Sequence, residues 1–416
     1  MKRTRIAFLY HYFHPDSVIS ARLFSDLAQW VCSFGWDVEA LPCNRSRRDE
    51  TCTYSSRENW GGVRIRRIWR PSFLQESFFG RICNSIWMIA VWSGMVLRRS
   101  DRLPDIVVMG TDPILGQMAA WIIRMFRPSV RMVIWAHDLY PEAAVADGIV
   151  KEGSLLTRCL RQLVRKAYAS SDLIVDMGEC MQKRLKDYEF STRCVTLTPW
   201  ALLEPEKPGM PNQAVRRELF GDVKLAILYS GNLGRAHSFD EFLELASLLK
   251  DDSVGFNFSI FGNRSQELNE EARKGLGNIR INTDVAESNL GARLDASDIH
   301  MVSLRPEWSG TVVPSKFFAS LAVGRPVLFA GPLTSSIAAW IAKYDLGWVL
   351  SDKTASFIAD DLRSLASDRI RMSRMQLHCI EIYRKHFSRE IIVNKWHEEL
   401  KGIVSGHEDE ESDKYL

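Results

Sequence analysis

Short apolar bursts alternate along most of the chain with longer stretches whose apolar positions recur every three or four residues. That alternation predicts parallel strands joined by helices, an α/β chain. Strands are predicted at Arg5–Tyr10, Asp37–Leu41, Ile106–Met109, Arg131–Ala136, Leu173–Asp176 and Val195–Thr198. Helices are predicted at Ala21–Phe34, which Gly35 ends, at Ile114–Phe126 and at Leu155–Ala169. The segment Leu203–Pro211 breaks the pattern with Pro205, Pro208, Gly209 and Pro211, a linker composition. A second strand series follows at Leu225–Tyr229, Asn257–Phe261, Ile279–Asn282, Ile299–Ser303 and Val327–Phe329, with helices at Phe239–Leu249 and Lys316–Val323.

The 416 residues exceed what one core usually serves. The expected organisation is a first domain over 1–202, a linker over 203–212 and a second domain over 213–385. A helix over 386–404 could cross back onto the first domain, and 405–416 reads as an acidic, disordered tail. Two such domains place a cleft between the carboxyl ends of two sheets, where α/β sheets bind ligands. Pattern alone would fit a transferase, a dehydrogenase or an epimerase.

Composition adds little, because 46% apolar and 25% charged residues are ordinary for a globular chain. Charge adds more. Residues 1–200 hold 28 Lys and Arg against 20 Asp and Glu, and the remainder is net acidic. A basic amino-terminal half suits an anionic partner such as a lipid headgroup or a phosphate, with a solvated surface as the plain alternative. The eight cysteines form no C-x-x-C pair and read as free thiols in a reducing compartment. The first ten residues lack the apolar stretch of a signal peptide. The apolar run Ile86–Leu97 is too short to span a bilayer, and Ile114–Phe126 is broken by Gln117 and Arg124. Both are expected either as core helices or as segments lying in a membrane interface through Trp87, Trp92 and Trp121.

Three stretches carry candidate chemistry. In Tyr229–Arg235, between a strand and a helix, Gly231 and Gly234 let the backbone approach a ligand, and Arg235 offers a forked donor to phosphate oxygens. A structural turn is the alternative, and the spacing is not the G-x-G-x-x-G of a dinucleotide fold. In Gly310–Lys316, Pro314 and Ser315 suit a helix start, and Lys316 beside free N–H groups makes an anion site, against a merely capped helix. In Trp135–Glu142, His137 at a strand end can hydrogen-bond a sugar hydroxyl as a neutral imidazole, with Asp138 and Glu142 as further acceptors, against a structural His–Asp pair. A metal role for His11 and His14 is not expected.

These residues also carry a resemblance. Thr111-Asp112-Pro113 through His137–Glu142, and Thr198-Pro199-Trp200-Ala201, resemble the amino-terminal domain of glycosyltransferase family 4. Tyr229–His237, Val313–Phe318 and Ala322–Val327 resemble its donor domain, closest to the branch that builds O-antigen, capsule and exopolysaccharide. The resemblance implies a GT-B fold of two Rossmann-like domains and retaining transfer from a nucleotide-diphosphate sugar to a lipid-linked or saccharide acceptor. It implies no metal, no cofactor and no nucleic acid. Arg235 and Lys316 would neutralise the diphosphate and His137 would contact the transferred sugar. Gly231, Asn232, Gly234, Gly262, Asn263, Val313, Pro314 and Ser315 would line the donor, while Asp16, Ser20, Asp138 and Glu142 would face the acceptor. The expected location is cytoplasmic, with peripheral contact at the inner membrane through the basic domain.

Three departures stand out. Many members of the family it resembles carry glutamates where this chain has Thr311 and Ala319, with Glu307 the nearby carboxylate. They carry Arg and Lys where it has Asn232 and His237, and glycines where it has Pro15–Ser20. A non-catalytic nucleotide-sugar-binding scaffold and a nucleotide-sugar epimerase are the competing readings.

Overall fold

A computed structural model describes residues 3–75, 77–98, 103–262, 264–272, 276–283 and 289–412. Contacts divide the chain into two units, Met1–Thr198 with Ile392–Leu416, and Pro199–Ile391.

The first unit begins β1 (Arg5–Leu9), α1 (Ile19–Ser33), β2 (Asp37–Ala40), β3 (Arg57–Trp60), β4 (Val63–Arg66) and α2 (Phe78–Leu97). It continues with β5 (Ile106–Gly110), α3 (Met118–Phe126), β6 (Arg131–Trp135), α4 (Glu142–Ala146), α5 (Leu155–Ala169), β7 (Leu173–Asp176), α6 (Glu179–Lys186) and β8 (Cys194–Thr196). Among the described residues the sheet order is β3-β4-β2-β1-β5-β6-β7-β8, parallel except for the β3–β4 hairpin. β1 is central, with Ile6 opposite Val38 on one side and Ile106 on the other. β5 and β6 are buried along nearly their whole length, as parallel strands covered on both faces must be.

α2 differs from its expected form. The apolar run starting at Ile86 is the second half of a 20-residue helix, which makes Phe79–Leu97 long and apolar enough to cross a membrane. Gly80, Asn84 and Ser85 interrupt the apolar pattern without ending the helix, because Asn84 is buried and donates to the Phe73 carbonyl at 2.8 Å. One flank of α2 packs into the unit: Met88, Trp92 and Val96 are fully buried, and Trp92 Nε1 donates to the Leu41 carbonyl at 2.7 Å. Phe79 and Ile86 are exposed.

The second unit begins α7 (Gln213–Phe220), β9 (Leu225–Asn232), α8 (Asp240–Leu248), β10 (Val254–Phe261), α9 (Ser265–Ala272), β11 (Ile279–Asn282), α10 (Leu290–Asp295) and β12 (Ile299–Ser303). It continues with α11 (Lys316–Ala322), β13 (Val327–Ala330), α12 (Ser336–Tyr344), β14 (Gly347–Leu350), α13 (Ala355–Leu365) and α14 (Arg369–His386). Its parallel sheet runs β11-β10-β9-β12-β13-β14. The core is aliphatic and aromatic, with Ile227, Tyr229, Phe242, Phe256 and Phe258 in one buried cluster. Buried Asp298 ties the edge of this core, accepting from the Arg216 guanidinium at 2.6 Å and from the Ala226 amide at 2.8 Å.

The last helix, α15, spans Arg389–Ser412, and from Ile392 onward the chain belongs to the first unit. There Trp396 is fully buried, with its ring 5.1 Å from that of Trp135 in an edge-to-face pair. Arg193 pairs with Glu399 on the same helix. The stretch from residue 405, expected to be disordered, is helical as far as Ser412. Once Trp396 and Leu400 have nucleated the helix by packing, each further residue adds at little cost.

Candidate functional site

In the second unit β9 runs to Asn232, three residues beyond its expected end, so Ser230 and Gly231 are paired in the sheet opposite Ser259 and Ile260. Gly231 has φ +115°, a conformation that L side chains rarely adopt, and a Cβ there would lie 3.3 Å from Lys316 Cε. Lys316 opens α11 and its Nζ donates to the Asn232 carbonyl at 2.9 Å, 5.0 Å from the centre of the Tyr229 ring. The glycine-rich turn and the lysine, far apart in sequence, thus meet at the carboxyl end of one sheet. Burial lowers the Lys316 ammonium to about 8. Ser315 holds the cap position of α11 but makes no capping hydrogen bond, so the helix start rests on Pro314 and on packing. Val313 and Pro314 are buried just before it.

The loop after Asn232 carries Arg235 and is tied down on two sides. His237 Nδ1 donates to the Ser303 carbonyl at 2.8 Å, and Arg305 N donates to the Ala236 carbonyl at 2.8 Å. Burial, with the Lys316 charge adding to it, lowers His237 to about 3 and keeps it neutral. Arg264 grips the same loop through the His237 carbonyl, stacks 4.7 Å from the Phe239 ring and pairs with Glu267 at 2.7 Å. Gly262 has φ +116°, and a Cβ there would fall 2.3 Å from Asn232 Oδ1. The β9 and β10 loops therefore pack directly on one another. Gly234 would bring a Cβ 3.1 Å from Asn232 Nδ2. Asn263 lies outside the described residues. Thr311 is fully buried, and its hydroxyl has no hydrogen-bond partner among the described residues. Glu307 is exposed and faces Arg305 at 3.7 Å.

In the first unit His137 follows β6 and is buried. Its backbone N–H and that of Asp138 both donate to Thr111 Oγ1, at 3.2 and 3.0 Å, so the β5 loop holds the β6 turn in place. Desolvation lowers His137 to about 3 against the pull of Asp112. The imidazole is therefore neutral, and its buried Nε2 has no hydrogen-bond partner among the described residues. His11, at the end of β1, is buried with Nδ1 3.4 Å from the Asp112 carboxylate. Burial would lower it, but Asp112 and the Cys43 thiol outweigh burial and hold it at about 9. This cationic imidazole was not legible as a site residue, because its partner stands a hundred residues away.

Two of the four acceptor-side residues are otherwise engaged. Asp16 is buried and accepts from the Val18 and Arg47 amides at 3.0 and 2.7 Å, pinning two loops. Glu142 is buried and accepts from Arg161 Nε at 3.0 Å and from the Tyr188 hydroxyl at 2.6 Å, which joins α4, α5 and the turn after α6. A carboxylate with both oxygens bonded inside the protein has little left for a ligand. Asp138 is exposed beside His137, and Ser20 lies in the first turn of α1.

Two outcomes test this geometry. Any reaction at this turn that builds negative charge should require the Lys316 cation, so kcat/KM is expected to fall as pH rises through about 8, the lysine losing its proton above that value. A pH–rate profile of native enzyme against Lys316→Arg checks it, with the arginine variant keeping its activity further into alkali. Gly231→Ala is expected to weaken binding of a phosphate-bearing ligand at this turn by about 1–3 kcal/mol, the usual cost of a strained backbone, because the turn must leave φ +115° and push Lys316 aside. Calorimetric titration with nucleotide reads it.

Comparison with known proteins identifies the family and the fold. Residues 20–200 match the model of the glycosyl transferase 4-like domain. The Escherichia coli (strain K12) protein WcaI, named as a colanic acid biosynthesis glycosyl transferase, is 33% identical over 75% of this chain and 79% of its own. The Pseudomonas aeruginosa glycosyltransferase WbjE is 29% identical over 67% and 70%. Sucrose-phosphate synthase from Thermosynechococcus elongatus superposes with a TM-score of 0.71 at 13% identity, over 97% of this chain and 100% of that one. HepE of Anabaena, solved with UDP and glucose, gives 0.68 at 12% identity over 96% and 100%. The two parallel sheets are those of the GT-B fold, and the chain belongs to glycosyltransferase family 4, among the transferases of cell-surface polysaccharide biosynthesis.

Proposed function

We propose that this transferase moves a sugar, with retention of anomeric configuration, from a nucleotide diphosphate to a lipid-linked or oligosaccharide acceptor, without a metal. The observation that carries the reading is Lys316, held over the Gly231 turn at 2.9 Å from the Asn232 carbonyl. HepE, the solved neighbour held with UDP and glucose, supports a nucleoside diphosphate donor. The diphosphate rests on Gly231, Arg235 and Lys316. The bond between the anomeric carbon and the β-phosphate oxygen breaks, and fixed cations stabilise the charge that builds on that oxygen. The acceptor hydroxyl attacks the anomeric carbon from the same face, and its proton passes to the departing phosphate. Neutral His137 hydrogen-bonds the transferred sugar.

The test is a donor panel of UDP-, GDP-, dTDP- and CMP-sugars in chelator, with bacterial membrane extract as acceptor and free nucleotide as readout. Extract-dependent release with one donor supports the reading. Donor binding without release, by thermal shift, would instead support a non-catalytic sugar-nucleotide scaffold, the reading that Thr311 and Ala319 in place of carboxylates favour. Epimerised donor without extract would mark an epimerase.

A further inference from the structure

We infer that Asp112 is the acceptor-binding carboxylate of the first unit, taking hydrogen bonds from hydroxyls of the acceptor's terminal sugar, with buried His11 as its positioning residue. The inference rests on the transferase reading and adds the group that holds the second substrate. A carboxylate only accepts hydrogen bonds, so one that binds sugar hydroxyls must keep an oxygen the protein has not used. Asp16 accepts from two amides and Glu142 from Arg161 and Tyr188. Asp176, at the end of β7, accepts from the Gly178 amide at 3.0 Å, the Thr196 hydroxyl at 2.7 Å and Gln182 Nε2 at 3.2 Å. Asp112 differs. Among the described residues its carboxylate meets His11 alone, through Oδ2, and its side chain is 40% exposed. Oδ1 is left for a ligand.

His11 supplies the fixed half of the pair. Its side chain is 2% exposed and its Nδ1 lies 3.4 Å from Asp112 Oδ2. The ring stacks on Tyr12 with centroids 4.1 Å apart. The His11 carbonyl accepts from the Cys43 amide at 2.9 Å, and the His11 amide donates to the Asp112 carbonyl at 3.4 Å. Backbone and side chain together therefore tie the end of β1 to the loop after β5. Burial works against a charge on His11, and Asp112 with the Cys43 thiol outweighs it, so the imidazole is a cation. A buried cation on one side of the carboxylate sets its orientation and leaves the other side to solvent or ligand.

The surroundings of Asp112 are polar and unsatisfied. β1, β5 and β6 are neighbours in the sheet, and buried groups without hydrogen-bond partners among the described residues gather just beyond their carboxyl ends. They are the Tyr12 hydroxyl, both amide atoms of Gln117 and His137 Nε2, on side chains of residues at most 7% exposed. Buried polar groups are nearly always bonded, so such a gathering marks where a polar ligand completes the bonds. Thr111, the residue before Asp112, takes the amides of His137 and Asp138 on its hydroxyl, which sets Asp112 beside the His137 turn. A carboxylate, an amide, a phenol and a neutral imidazole match the mixed donors and acceptors of a sugar ring. A hydroxyl bonded to an ionised carboxylate is held more firmly than one bonded to a neutral group.

Two readouts on the full chain test the pair. The first needs no turnover. Protein carrying isotopically labelled histidine is titrated, without donor, with the methyl glycosides of glucose, galactose, mannose, rhamnose and N-acetylglucosamine, and separately with inorganic phosphate. At least one glycoside is expected to shift the His11 ring signals, and phosphate to leave them in place. Asp112→Asn is expected to abolish that response and to turn the His11 ring neutral. The second readout is nucleotide release against the amount of membrane extract. Asp112→Asn is expected to raise the KM for extract roughly 10–100-fold, the worth of a hydrogen bond to a charged group, with donor affinity by calorimetry unmoved. His11→Gln is expected to raise the same KM by less, as suits a residue that acts through another. Asp112→Glu keeps the charge but displaces it, and is expected to raise that KM at a native melting temperature.

A native KM in Asp112→Asn overturns the inference and leaves the transferase standing. So does a His11 ring that answers phosphate or none of the glycosides. A glycoside response lost in Asp112→Asn, from a native chain that releases no nucleotide with extract, fails the transferase reading and keeps the saccharide site.

Discussion

Lys316→Ala is expected to lower kcat/KM for nucleotide release by roughly 10²–10³-fold, the usual loss when one group that stabilises transition-state charge is removed. The ammonium lies beside the Gly231 turn and donates to the Asn232 carbonyl. Arg235→Ala should cost less, because Arg235 is exposed and solvent screens its charge. The double variant should fall well short of the product of the single losses, since both groups serve one diphosphate. Equal kcat/KM in Lys316→Ala and native enzyme, at saturating acceptor, would remove the lysine from the chemistry. Lys316→Arg keeps the charge but replaces the compact ammonium with a bulkier planar group, and its partial recovery would separate electrostatics from the fit of the ammonium over Tyr229.

Trp396→Ala is expected to destabilise the first unit by about 3–5 kcal/mol, the range for deleting a buried tryptophan. Trp396 is fully buried and meets Trp135, which itself lies against His137 at 4.5 Å. For a unit of this size each kcal/mol moves the melting temperature by about 2–4 °C, so the first transition should drop by roughly 6–20 °C. The unfolding of the second unit, to which Trp396 does not belong, should stay in place. Differential scanning calorimetry reads both. A single unshifted transition would show that α15 contributes nothing to the first unit. His137 should also lose its fixed orientation, so a fall in kcat larger than the fall in donor affinity would accompany the loss of stability.

The parallel core was legible because β5, β6 and β7 are nearly continuous apolar runs between polar turns, a pattern few other structures produce. The β3–β4 hairpin was not. Its strands are four residues each and carry Arg57, Glu58, Arg64 and Arg66, the charges that suit a sheet edge. The alternation of buried and exposed residues in β4 is clear only once its partners are known. The loops around Gly231 and Lys316 were legible because glycine and a helix start carry local signals. Arg264, Thr111 and the His11–Asp112 pair were not, since each acts across a gap in sequence that only the sheet order closes. Asp16 and Glu142 show the converse. Residue type marked both as ligand candidates, yet whether a carboxylate is already satisfied depends on Arg47, Arg161 and Tyr188, which no local pattern names.

The return of the chain at Ile392 gives the two units an order of completion during synthesis. The second unit is one unbroken stretch, Pro199–Ile391, and has all of its residues before the last part of the first unit leaves the ribosome. The first unit, begun earlier, waits for Trp396 to close over Trp135. A ribosome that stops before Trp396 would therefore release a chain able to fold its second unit while its first stays open. Proteases that recognise exposed apolar surface would clear such a product, and every chain that survived would carry both units folded.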